Sequence, residues 1–360
     1  MEVVTRPVFS SSVLPAHERG LELGERFASQ IASTVAAYRL LFETRALAEF
    51  DVDLWSDRAW DAISRLAPHH AEEIAGIAEG AGLRAEQIAS INARTELLVA
   101  ANPTGATECS TVVSLPQGKD PVAVQTWDWY DAMSDGWFTW TIPMPDGRRI
   151  ETVTEFGLLA KIGMNDRGVG VMLNMLHHAN DQAAVADGKI GHPVHLLSRS
   201  ILEDADSTRD AVRIASAPET TASSSLTVVD PTGDAVSIEL FPGGPGLVDP
   251  ADRLLVRTNH FVSEEGRGGC LAATISESTR LRREHLLGEF GSRAPETAAE
   301  VVDAMTNHHE LGGVCRHDFT HPDPVLWHRT LATVSLDPVN RRLDVSDGGP
   351  CGHREGPVAG

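Results

Sequence analysis

The spacing of apolar residues changes at Cys109, and that change limits the folds open to this chain. Upstream, residues 17–100 carry apolar side chains three and four apart, as at Leu23, Phe27, Ile31 and Val35, the period of helices with one buried face. "APHHAEEIAGIAEGAGL" predicts a helix stopped by Gly80 and Gly82, and "RAEQIASINARTELLVA" predicts another. "NPTGATE" then breaks the pattern. From Cys109 the period becomes that of strands. "CSTVVSL" and "PVAVQTWDW", joined by the turn Pro116–Asp120, predict a hairpin. "WFTWTIPM", "RRIETVTEF", "LLAKIGMN" and "VGVMLNML" extend it as a meander. Helices are expected again in "GHPVHLLSRSILEDA" and "STRDAVRIASA", and strands in "SSLTVVDPTGDAVSIELF" and "RLLVRTNHF". Two more helices fit "ISESTRLRREHLLGEF" and "PETAAEVVDAMTNHH", before a closing hairpin around Asp337-Pro338. Alternating blocks of this kind predict an α+β fold with two sheets sandwiched between helices.

The charge balance narrows the partners. Aspartate and glutamate number 51 against 30 lysines and arginines, a formal net charge of −21. An acidic chain lacks the basic face that a polyanion requires, so nucleic acid is not an expected partner. No apolar run approaches the roughly 20 residues of a membrane span, and the first twenty residues lack the order of a secretory signal. Cys109, Cys270, Cys315 and Cys351 are few and far apart, which argues against a disulfide framework and for a reducing, cytoplasmic setting. The sequence leaves the oligomeric state open.

Cys109 and Asp128 are the first chemical candidates. The turn between their strands can bring them close. A thiol is a good nucleophile only as a thiolate or beside a base, and no histidine lies within a dozen residues of Cys109. Cutting the Glu108–Cys109 bond would place an α-amine on the cysteine itself. Such an amine titrates near pH 8, close enough to neutrality to accept the thiol proton. A buried cysteine serving only as a small apolar side chain fits the same local pattern.

A longer set of segments carries a resemblance: "ERGLELGERFA", "GIAEGAGLRAEQIASINARTEL", "ECSTVV", "QTWDW", "KIGMNDRGVGVMLNMLHH", "GHPVHLLSRSILEDADSTRDAV", "RTNHF", "STRLRREHLL", "GVCRHD" and "TLATVSLD". In order and spacing they resemble the isopenicillin-N acyltransferase family of N-terminal nucleophile (Ntn) hydrolases, relatives of choloylglycine hydrolase. The resemblance implies a four-layer αββα sandwich. It also implies self-cleavage between Glu108 and Cys109 into a helical segment, 1–108, and a catalytic core, 109–360, that stay associated. It gives Cys109 the nucleophile's role and sets Asp128 beside the new amine. It makes Asn259 the oxyanion donor and Arg316 a catalytic-site cation able to pair with Asp128, while Asn174 lines the pocket. Trp127, Trp129 and His260 are expected as pocket walls. The reaction implied is cleavage of a linear amide C–N bond, or transfer of an acyl group, through a thioester on Cys109. The substrate is a small N-acyl amide or acyl donor, and no cofactor is expected beyond acyl-CoA as a co-substrate of the transferase reading. Two departures stand out. Glu108 replaces the glycine common before the cysteine, which leaves room for a non-cleaving binding protein of the same fold, and Thr126 replaces a common asparagine. Cys315, His317, His321, Cys351 and His353 are metal-ligand types, but their spacing fits no common zinc motif, so no metal is expected.

Overall fold

The computed structural model describes residues 6–104, 109–291, 293–309 and 312–352. Among the described residues before Cys109 there is one short strand, β1 (Val8–Ser10), and then six helices: α1 (Ala16–Arg26), α2 (Ala28–Arg45), α3 (Val52–Leu66), α4 (Pro68–Ala81), α5 (Ala85–Asn92) and α6 (Arg94–Ala101). The long apolar run read as one helical stretch is broken at Phe27, whose φ of −125° separates α1 from α2. Gly82 ends α4 in the left-handed conformation, with φ 67°. Gly80 does not stop the helix; it lies inside α4 and faces α1. A Cβ on it would come 2.4 Å from the Leu21 carbonyl, and one on Gly76 would come 2.0 Å from that of His17. These glycines, with Gly20 and Gly24 opposite them, let the two helix backbones nearly touch.

Two sheets follow. β2 (Cys109–Ser114) and β3 (Val122–Tyr130) form the expected antiparallel hairpin. The chain then changes sheet, so the predicted meander is two structures rather than one. β4 (Trp137–Pro143), β5 (Arg149–Glu155), β6 (Ile162–Asn165), β7 (Gly170–Met175), β8 (Ser224–Val229), β9 (Ala235–Leu240) and β10 (Gly246–Val248) run in sequence order across one sheet, with β1 parallel to β4 at its edge. The other sheet has the order β11 (Leu254–Arg257), β2, β3, β13 (His328–Asp337), β12 (His317–Asp318), and β14 (Arg342–Asp347) also pairs with β13. The strand period gives the strands but not the point where the chain crosses between sheets.

Between β7 and β8 lie α7 (Ala179–Ala186), α8 (Val194–Asp204) and α9 (Thr208–Ser216). After β11 come α10 (Glu264–Arg267), α11 (Ala272–Ile275), α12 (Ser278–Phe290) and α13 (Ala298–Ala304). α8 packs on β6 and β7, and α9 on β8 and β9. On the second sheet, Leu286 of α12 and Val301 and Met305 at α13 pack against Val112, Val124 and Val256. The two sheets meet through polar pairs as well as apolar ones: Gln125 of β3 donates to the Leu173 carbonyl of β7 at 2.6 Å, and Thr111 of β2 donates to Asn174 Oδ1 at 2.9 Å. The expected αββα layering is therefore present.

The segment before Cys109 is built into this sandwich. Its apolar residues belong to the same core cluster as those of the sheets. Asn92 donates to the Gly157 carbonyl at 2.8 Å and accepts from the Leu159 amide at 3.0 Å. Glu96 accepts from the Val194 amide at the start of α8 at 3.0 Å. Glu73 of α4 takes both Arg19 and Arg199, and Arg199 also holds Glu203. Each buried charge in this group has an opposite partner, as burial demands.

Candidate active site

Cys109 opens β2, with Trp127 opposite it in the β2–β3 register. Side chains alternate along a strand, so Cys109 shares the face of Thr111, which reaches across to β7. Ser110 faces the opposite side, toward α12. The backbone of Cys109 is held at three points. Its amide donates to Asn259 Oδ1 at 2.9 Å. Its carbonyl accepts from Asn174 Nδ2 at 3.1 Å and from Arg282 Nη1 at 2.8 Å. Arg282 also donates to Ser110 Oγ at 2.8 Å and to Asn259 Oδ1 at 2.9 Å. Two donors thus meet Asn259 Oδ1, while its Nδ2 faces the Met175 carbonyl at 2.9 Å, and this pattern fixes the orientation of the amide. Glu108 lies outside the described residues.

Asp128 is fully buried one residue beyond Trp127. Its Oδ1 accepts from Thr330 Oγ1 at 2.6 Å, and that hydroxyl oxygen accepts from the Arg316 amide at 2.9 Å. Thr330 therefore couples Asp128 to Arg316, joining two residues far apart in sequence. The Arg316 guanidinium pairs with Asp318 at 3.3 Å. The Cys109 thiol lies 3.7 Å from the Asp128 carbonyl.

Burial, with the neighbouring Asp128 charge next in weight, pushes the Cys109 thiol up to about 11, against the smaller favourable influence of Lys161 and Arg282. The thiol is protonated at neutral pH. A second buried group lies between the helices and the sheets. Arg94 of α6 pairs with Glu155 at 3.0 Å and sits 4.3 Å over the Trp129 ring. Tyr38 donates to Glu155 and accepts from Trp129 Nε1 at 2.9 Å. Lys161 stands 3.9 Å from Glu155 and 3.6 Å over the Trp127 ring. Burial and the Arg94 charge push its ammonium well below the ordinary lysine range.

The expected pocket residues are all placed near this centre. Trp127 and Trp129 are buried in the core. Asn174 bridges the sheets and donates to the Cys109 carbonyl. His260 bonds to Thr258 and Thr279, at 3.2 and 3.0 Å. Burial, followed by the surrounding arginines Arg257, Arg283, Arg282 and Arg280, holds it down to about 3, so its imidazole is neutral and is no proton carrier near pH 7. Sequence reasoning assigned no role to Arg282, Thr330, Lys161 or Arg94. Arg282 had a readable signal: it lies four residues before the buried Leu286, on the face of α12 that a solvated arginine would avoid.

Among the described residues, two sets of side chains have the types and proximity to hold a metal ion: His69, His70 and Glu203, and His308, Cys315, His317 and Cys351. In the first, Arg199 already neutralises Glu203 at 2.7 Å. His321 is not in the second set; its ring accepts from the Asp323 amide. His353 lies outside the described residues.

The chain is 28% identical over 291 residues to the acyl-coenzyme A:6-aminopenicillanic-acid-acyltransferase 40 kDa form of Emericella nidulans, covering 79% of this chain and 76% of that one. Among solved structures, penicillin V acylase from Agrobacterium tumefaciens aligns with 13% identity and a TM-score of 0.41, over 66% of this chain and 83% of its own. A mutant conjugated bile acid hydrolase from Clostridium perfringens aligns with 12% identity and a TM-score of 0.39, over 68% and 95%. The profile of the acyl-coenzyme A:6-aminopenicillanic acid acyl-transferase family matches residues 115–351, beginning just past the Cys109 strand and taking in Asp128, Asn174, Asn259, Arg282 and Arg316. That match spans about two thirds of the sequence, and the chain belongs to this family of acyl-transferases.

Proposed function

We propose that this chain is a self-cleaving Ntn hydrolase that breaks a linear amide bond of a small N-acyl compound through a thioester on Cys109. The observation that carries the reading is the hydrogen bond from the Cys109 backbone nitrogen to Asn259 Oδ1. That nitrogen becomes the α-amine once the preceding bond is cut, and its acceptor is already in place. In the cut, the Cys109 sulfur attacks the Glu108 carbonyl carbon, the C–N bond breaks, and the nitrogen takes the thiol proton. Water then hydrolyses the thioester, leaving a carboxylate on Glu108 and a free thiol and amine on Cys109.

With a thiol pushed to about 11, sulfur needs a nearby base, and the freed α-amine is the one proposed. The α-amine takes the thiol proton as sulfur attacks the substrate carbonyl, and returns it to the leaving nitrogen. Asn259 Oδ1 orients the amine, and Arg282 and Asn174 clamp the carbonyl of the same residue. Asp128, steadied by Thr330, supplies the local negative charge that Arg316 and the ammonium form of the amine balance. With Oδ1 on the amine, Asn259 Nδ2 remains on the Met175 carbonyl, and its expected oxyanion role is a proposal that requires that donor to be released in the cut enzyme. Water completes hydrolysis of the acyl-enzyme. The setting proposed remains cytoplasmic, and the two cut chains stay together through β1 and the shared core.

The activity for which the family is named favours a second reading, in which an acyl-CoA thioester acylates Cys109, coenzyme A leaves with the proton, and an amine takes the acyl group. Incubating the cut enzyme with N-acyl amides, and separately with acyl-CoA and amine acceptors, separates the two. Free acid from the amides supports hydrolysis. N-acylated product that needs acyl-CoA supports transfer, and neither product with either set contradicts both.

A further inference from the structure

Four side chains outside the acyl-transfer site meet at the edge of the second sheet. They come from three segments: His308 and Cys315 from the loop between α13 and β12, His317 from β12, and Cys351 from the turn after β14. Cys315 Sγ lies 3.4 Å from His317 Nε2 and 3.4 Å from Cys351 Sγ, and His317 Nε2 lies 3.3 Å from Cys351 Sγ. His308 brings a ring nitrogen within 4.8 Å of the other donor atoms. A tetrahedral zinc ion with bonds of about 2.3 Å to sulfur and about 2.0–2.1 Å to nitrogen separates its donors by roughly 3.4–3.8 Å. The three edges already approach that tetrahedron. The sulfur–sulfur distance is far beyond the roughly 2.05 Å of a disulfide, and a disulfide would have no use for two imidazoles.

The backbone is arranged for this convergence. A Cβ on Gly349 would lie 2.4 Å from Cys315 Sγ, so only glycine lets the C-terminal turn approach that sulfur. Gly352, at φ 71°, closes the turn carrying Cys351 through a 3.0 Å bond to the Gly349 carbonyl. The Cys315 amide bonds to the Asn307 carbonyl at 3.1 Å, which folds the loop back and brings His308 beside Cys315. On the other side, the Thr330 amide bonds to the Arg316 carbonyl at 3.0 Å, anchoring the residue between Cys315 and His317.

We propose that His308, Cys315, His317 and Cys351 form a closed Cys2His2 site for a divalent transition-metal ion, zinc foremost. Two thiolates and two neutral imidazoles suit a borderline-soft, tetrahedral cation. Binding releases one proton from each cysteine and leaves a neutral centre, because the two thiolates balance the charge of the ion. All four positions are filled by protein, so the ion's work is structural. It pins the C-terminal turn to the loop that carries Arg316.

The test uses the full chain, purified without a histidine tag. Metal analysis should find about one zinc per chain. After chelation, Co(II) should restore a tetrahedral spectrum with thiolate-to-cobalt charge transfer, and re-adding Zn(II) should raise the melting temperature. His308→Ala, at an exposed position that leaves the core untouched, and Cys351→Ser should each lose the stoichiometric metal and the charge-transfer band, whereas His321→Ala should keep both. The proposal is overturned by wild-type protein with only trace zinc and an octahedral cobalt spectrum. It is equally overturned by a Cys315–Cys351 disulfide in anaerobically purified protein, or by His308→Ala binding Co(II) with the wild-type spectrum.

Discussion

Asn259 and Arg282 hold the backbone of Cys109, the nucleophile proposed here, from both sides of its peptide unit. Asn259 Oδ1 receives the Cys109 nitrogen and the Arg282 guanidinium together, so the nitrogen that would carry the proton is aimed by a side chain 150 residues away. Replacing Asn259 by Ala should slow self-cleavage and lower kcat by about 100-fold with little change in KM, because misplaced groups cost rate rather than ground-state binding. Stopped and steady-state assays of the separately purified variant check this. Arg282→Lys keeps the charge but loses the planar fork that serves the Cys109 carbonyl, Ser110 and Asn259 at once. It should lose at least about tenfold in kcat, because the two cations are not interchangeable at a forked site. The closeness of Cys109 and Asp128 was legible in the sequence because they lie on adjacent strands of one hairpin. Arg282, 173 residues from the carbonyl it clamps, and Thr330, 202 residues from Asp128, were not, because only the fold brings them there.

Among the elements, the α1–α4 pair and the α6–α8 junction carry the sharpest consequences. The glycines of α1 and α4 stand where any side chain would strike the opposing backbone. Gly76→Ala should therefore destabilise the chain by about 1–3 kcal/mol through overpacking. Gly288→Ala, in α12 with open space around its would-be Cβ, should gain up to about 1 kcal/mol from helix propensity. Denaturant melts of the two variants check that the signs are opposite. At the α6–α8 junction, burial raises the Glu96 carboxyl to about 7. The native state thus holds a proton that the unfolded state releases at lower pH. The associated stability is full below the ordinary carboxyl range and is lost as pH rises through about 7. Glu96→Gln keeps an acceptor for the Val194 amide and removes that loss. Its melting temperature should exceed the wild type's at pH 8, by the equivalent of up to about 3 kcal/mol, and match it near pH 4.5. The helices themselves were readable from their apolar period. The role of Gly80 as a contact rather than a stop was not, because a packing glycine and a capping glycine look alike in one dimension.

At the scale of the molecule, the αββα layering followed from the order of helical and strand periods, while the crossing from one sheet to the other between β3 and β4 did not, since both sheets use equally apolar strands. The segment before Cys109 adds a strand to one sheet and shares the apolar core, and Arg94 carries its charge to Glu155 at the end of β5. A cut before Cys109 should therefore leave one particle, and the cut protein should elute as a single species and melt in one transition. Independent elution of the two pieces would contradict that. The direct test of the central claim is the intact mass of freshly purified wild-type protein beside Cys109→Ala. Self-cleavage gives two wild-type masses, the larger chain beginning at Cys109, and one uncut mass for the variant. A wild-type chain that stays whole would deny Cys109 its amine and contradict the account.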